Sequence, residues 1–166
     1  YKCRFARVPR ARCAYRPRSP QLFDAELAAM IDLSHPMIFP FFIQIGLTFV
    51  VLLRLAYCRV SAFTAKGGMA EIRKNGFPTR AVNASDNLKN QFEIPVLFYV
   101  LCIFCFISGI SSLVITILAW TYVALRIFHA IIHCGPNIIF PWRFGSFVLS
   151  CNVLLIMFVI TFVKVI

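Results

Sequence analysis

Residues 94–125 carry no charged side chain, and this run constrains the fold more than any other feature of the chain. Drawn as one helix it would be about 48 Å long, whereas the hydrocarbon of a bilayer is roughly 30 Å thick. The run must therefore fold back on itself. Its one cluster of small residues, Ser108-Gly109-Ile110-Ser111-Ser112, is the natural turn. One strand of the hairpin is then a span at about 87–107 and the other a span at about 113–134. Gly135-Pro136 stops the latter helix, because proline cannot continue it. A first span at about 37–57 and a fourth at about 147–165 complete an all-α, integral membrane four-helix bundle with up-down topology.

Composition agrees with this reading. The chain is 60% hydrophobic with 18 phenylalanines, and its mean hydropathy is +0.81. That is too apolar for a soluble domain of 166 residues. A net charge of +11 would point to nucleic acid in a soluble protein. Here it fits basic loops facing anionic membrane lipids, and no nucleic-acid partner is expected. The 59–89 segment holds Arg59, Lys66, Arg73, Lys74, Arg80 and Lys89, and Arg143 lies in the 135–144 loop. The other side offers only Lys164, so the 59–92 loop is expected in the cytoplasm, in a multi-pass protein with both termini outside. On that side the Asn83-Ala84-Ser85 sequon is silent.

Residues 1–29 contradict that orientation, with seven of the 17 Lys and Arg and three prolines. They read as a disordered basic leader, or as sequence upstream of a true start at Met30, ahead of a domain at 30–166. The seven cysteines do not form a disulfide framework. Cys102, Cys105 and Cys151 fall inside apolar runs, where a thiol behaves as a small hydrophobe.

The chemistry lies on the third span. Tyr122, Arg126, His129 and His133 are spaced i, i+4, i+7 and i+11, which puts them on one stripe of one helix. Lipid cannot solvate an arginine and two histidines, so the stripe faces protein or a wet cavity. With Ile110 as the tip of the turn, Glu93 and Arg126 come to one height, roughly 25 Å away, and Asn90 comes level with His129. Asp86, Asn90 and Glu93 share one face of the second span. The expected outcome is a Glu93–Arg126 pair in a cluster of Asp86, Asn90, Glu93, Arg126, His129 and His133. Arg54 reaches a comparable depth, and Arg59 and Arg143 are available from the adjoining loops. Such a cluster suits a small zwitterion carrying carboxylates and an amine. A buried pair can equally fix helix register without binding anything. Two histidines lack the third ligand that a metal site needs, so no metal is expected.

The segments NQFEIPVLFYVL (90–101), AWTYVALRIFHAIIHCGPN (119–137) and WRF (142–144) resemble the MAPEG family, membrane-associated proteins in eicosanoid and glutathione metabolism, and its bacterial members most closely. The resemblance runs from about Met37 to the C-terminus. It implies a homotrimer in a bacterial inner membrane, with glutathione as co-substrate held between subunits near the cytoplasm. It implies that Asn90 and Glu93 match the end of a glutathione-binding RxxxNxxE pattern, with Glu93 meeting the glutathione amine. Arg126 and His129 would line the same pocket, and Arg59 would meet a glutathione carboxylate. The arginine that opens the pattern is Asp86 here. His133 falls where one enzymatic branch carries a thiolate-stabilising arginine, so Arg126 and His133 are the candidate catalytic residues. A cation or base near sulfur raises the thiolate fraction at cytoplasmic pH. The activity implied is that of a transferase or peroxidase acting on lipophilic small molecules. The alternatives are a non-catalytic lipid- or partner-binding member, and a proton or ion pathway along the stripe.

Overall fold

Several helices of this protein end where the sequence gives a physical reason to end. The computed structural model describes residues 34–135, 137 and 139–166, so the basic leader at 1–29 lies outside the described residues. Six α-helices follow one another among the described residues: α1 (Ile38–Thr64), α2 (Gly68–Asn75), α3 (Thr79–Gln91), α4 (Ile94–Ile107), α5 (Leu113–Cys134) and α6 (Phe144–Val165). No strand occurs among the described residues. Among the described residues, four stretches are long and apolar enough to cross a membrane: Ile38–Thr64, Thr79–Ile107, Leu113–Cys134 and Phe140–Val165.

The turn between α4 and α5 forms where the small-residue cluster predicts it. Gly109 takes φ +63°, its N–H donates to Phe106 O (3.2 Å), and the Ile110 N–H donates to Cys105 O (2.9 Å). These two bonds satisfy carbonyls that the helix end leaves orphaned. α5 stops at Cys134, as expected.

The polar segment after the first span differs from expectation. It is helical rather than a loop: α1 continues past Tyr57 to Thr64, and α2 and α3 fill most of the remainder. The second candidate span starts at Thr79 rather than near Asn87, and α6 starts at Phe144 rather than Phe147. The Thr79–Ile107 stretch is broken at Phe92 (φ −103°, ψ 3°) and Glu93 (φ −93°, ψ −95°). Pro95 explains the break. It has no N–H to give the carbonyl of Gln91, and in a continuous helix its ring would strike that carbonyl. Placed in the first turn of α4, it costs nothing.

Gly68 fixes how α2 follows α1. A Cβ at this position would lie 2.3 Å from the Ala62 carbonyl oxygen and 2.8 Å from that of Phe63. Both obstacles are backbone and cannot rotate away. Gly68→Ala is therefore expected to lower the melting temperature in detergent by several degrees, corresponding to roughly 1–3 kcal/mol. A melt indistinguishable from wild type would show that α2 does not depend on this contact.

Between α4, α5 and α6 the core is apolar. Phe98 and Tyr122 stack with centroids 4.4 Å apart and planes at 19°. Leu101, Cys102, Cys105, Ile115, Ala119, Val123, Val153, Leu154 and Met157 are buried around them. Outward-facing phenylalanines such as Phe39 and Phe49 are exposed, as lipid-facing side chains on a bundle should be.

Candidate functional site

A stripe of four polar side chains on α5 can be buried only if the rest of the bundle turns toward it, and the structure does this. Tyr122, Arg126 and His133 are wholly buried, and His129 is 2% exposed. α6 covers the middle of the stripe. The ring of Phe147 lies 5.8 Å from Arg126 Cζ and 5.8 Å from the His129 ring. His129 Nδ1 lies 3.1 Å from Arg143 O and 3.3 Å from Ser146 Oγ, both at the start of α6. His129 and His133 meet edge to face at 5.6 Å.

Polar atoms in this stripe outnumber their partners. Arg126 donates through Nη2 to the carbonyl of Asn90 (2.8 Å), but Nε and Nη1 find no acceptor. Tyr122 Oη, His129 Nε2 and both ring nitrogens of His133 are buried and equally without partners. Unsatisfied buried groups at this density are expensive in a membrane interior.

The expected Glu93–Arg126 pair does not form. Glu93 sits in the break between α3 and α4 and is exposed, while Arg126 takes the Asn90 carbonyl one turn earlier. The described residues hold only three carboxylates, and none reaches Arg126. Asp86 pairs with Lys89 at 3.0 Å, and Glu71 accepts from Asn75 Nδ2. The predicted cluster thus separates into two sets. Arg126, His129 and His133 are buried inside the chain; Asp86 and Asn90 are half-buried and Glu93 exposed on its surface. Arg59 is exposed, its guanidinium 5.6 Å from the Phe77 ring centroid. Arg54 donates to the Cys134 carbonyl at 2.6 Å and caps α5.

The face of α3 that turns inward carries Asn87 and Gln91 rather than Asp86 and Asn90. Gln44 of α1 donates to Gln91 Oε1 (3.0 Å), Gln91 donates to Asn87 Oδ1 (3.4 Å), and Asn87 Nδ2 reaches Ala130 O (3.3 Å) and Cys134 Sγ (3.1 Å). All three amides are wholly buried. This ladder ties α1, α3 and α5 together beside the basic stripe. Sequence reasoning about charges passed over it. The available signal was Gln44, the one amide side chain in the first span, together with the i, i+4 spacing of Asn87 and Gln91.

Fold and site together define a multi-spanning helical membrane protein with a buried, under-satisfied basic stripe. A family model described as the MAPEG family matches residues 37–163, and the chain belongs to that family, which includes glutathione-dependent transferases and peroxidases among other members. No curated protein and no solved structure matches the chain.

Proposed function

We propose that the chain is a glutathione-dependent transferase or peroxidase acting on lipophilic electrophiles dissolved in the bilayer. The observation that carries this reading is Arg126. It is a permanent cation, wholly buried, with two donors unpartnered and no carboxylate bonded to it among the described residues. A buried cation without a bonded carboxylate suits an anionic ligand, and glutathione brings two carboxylates and an ionisable thiol. His133, also buried and unpartnered, stands ready to contact the same ligand.

In this reading the four spanning helices of each subunit run alternately up and down through the membrane, and the subunits associate as a homotrimer. The surface set at the α3–α4 break, Asn90 and Glu93, then faces a neighbouring subunit, where Glu93 meets the glutathione amine and Arg59 a carboxylate. The basic 59–92 segment lies in the cytoplasm of a bacterial cell whose inner membrane holds the bundle. The lipophilic partner has an approach from the bilayer. A cavity of about 640 Å³ opens between α4 and α6, lined by Ile94, Leu97, Leu101, Phe104, Cys151 and Phe158 among others.

Purified in detergent, the protein is expected to bind glutathione, develop thiolate absorbance and conjugate a model aryl halide. Binding without turnover favours a second reading, a non-catalytic member holding a lipid or partner. That reading is supported by Asp86 standing where the family pattern has an arginine and bonding only Lys89. A proton path has less support, because beyond Tyr122 the buried residues of α5 are Ala119 and Ile115. Glu93→Gln is expected to weaken glutathione binding about tenfold, and Asp86→Asn by no more than about twofold. Equal affinities for wild type and Glu93→Gln would remove Glu93 from the site.

A further inference from the structure

His129 differs from the rest of the stripe in how its ring is held. Nδ1 faces the Arg143 carbonyl at 3.1 Å, and a carbonyl oxygen can only accept, so the ring proton resides on Nδ1. Ser146 agrees with this. Its hydroxyl donates to the same carbonyl at 3.0 Å, which leaves its lone pairs for the Nδ1–H at 3.3 Å. The opposite nitrogen, Nε2, is buried and has no partner. The charged and titratable groups facing the ring are Arg126 and His133 from α5 and Arg143 from the start of α6. None is acidic. An imidazolium there would be one more cation without a counter-charge, so the ring stands neutral with a bare lone pair. His133 has no such arrangement, since nothing fixes either of its nitrogens.

One turn from that lone pair are the unpartnered Nε and Nη1 of Arg126. An unpartnered acceptor and unpartnered cationic donors on one helical stripe fit a ligand with an acidic X–H bond: the proton goes to the imidazole and the anion to the guanidinium. We propose that His129 is the base that takes the thiol proton of glutathione, with Arg126 holding the sulfur anion and the Arg143 carbonyl and Ser146 acting as positioning groups. This rests on the glutathione reading above. In the step, the S–H bond breaks, an Nε2–H bond forms, and the imidazolium and thiolate balance in charge. The thiolate is then free to attack an electrophile arriving from the bilayer.

The test uses the full chain in detergent, as wild type and His129→Asn, titrated with glutathione by calorimetry while thiolate absorbance is followed against pH. Asparagine keeps an N–H for the Arg143 carbonyl and has no basic nitrogen. The expected result is that the variant still saturates with glutathione but holds about tenfold less thiolate at neutral pH, recovering as pH rises toward the free-thiol value of about 8.5. Wild-type binding with the same thiolate midpoint in the variant overturns the role of His129 alone. Failure of the wild type to bind glutathione overturns the glutathione reading, and the step falls with it. Nitrogen-15 NMR of histidine-labelled wild type gives a readout free of activity, the His129 signals being those lost in His129→Asn. An Nδ1-protonated neutral ring is expected; an Nε2-protonated ring or an imidazolium in the free protein overturns the assignment.

Discussion

Arg126→Met should leave glutathione binding about 100-fold weaker or worse, while the unliganded protein melts at the same temperature as wild type or higher. The two effects have one cause. Arg126 is wholly buried, and of its donors only Nη2 has an acceptor, the carbonyl of Asn90. Desolvating a guanidinium for a single hydrogen bond costs more than that bond returns, so an apolar side chain of similar length removes that cost. The same change removes the only permanent cation available to an anionic ligand within the stripe. A rise in melting temperature together with a loss of binding would mark Arg126 as serving binding rather than packing. Calorimetric titration and thermal melts on the same preparations measure both halves. A variant that binds glutathione normally but melts far lower would make Arg126 structural.

Phe98→Ala should have the largest effect on stability of the changes considered, roughly 3 kcal/mol. Phe98 is wholly buried and stacks on Tyr122 at 4.4 Å, at the junction of α4 and α5. Within a bilayer the unfolded helices are not in water, so little of the loss is a transfer term. Most of it is the cavity and the dispersion contacts that its walls forfeit. Phe49→Ala is the control: Phe49 is 59% exposed on α1, so the change is expected to cost less than about 1 kcal/mol. Melting in detergent separates the two, and equal melting temperatures would show that the Phe98–Tyr122 stack does not hold the hairpin. Loss of the stack should also free Tyr122, the floor of the stripe.

The parts of this fold that were legible in the sequence follow from the bilayer. An uncharged run too long for one crossing requires the α4–α5 hairpin, and the cluster at 108–112 locates its turn. The position of His133, Arg126 and Tyr122 on one buried stripe follows from helical spacing alone. The hairpin ruler also came within a turn of the observed register, since Arg126 bonds Asn90 where Glu93 was expected. What was not legible was the rotation of α3. Counting from Glu93 back through Asn90 to Asp86 assumes an unbroken helix, but Pro95 forces a break at Phe92–Glu93. The break frees α3 to turn Asn87 and Gln91 inward and leaves Asp86 to Lys89. A shift of one residue is about 100° of rotation, enough to exchange a buried face for a surface one. The polar 59–89 stretch was read as a loop for a related reason. Charge decides where a segment lies relative to lipid, whereas the helices α2 and α3 are set by turn glycines and local propensity.

The buried stripe of α5 is proposed as an anion site for glutathione. Equilibrium dialysis of labelled glutathione against purified wild type and Arg126→Met tests it most directly. Saturable binding to wild type that disappears in the variant is the predicted result. Saturable binding of equal strength to both proteins, or none to wild type, would contradict it.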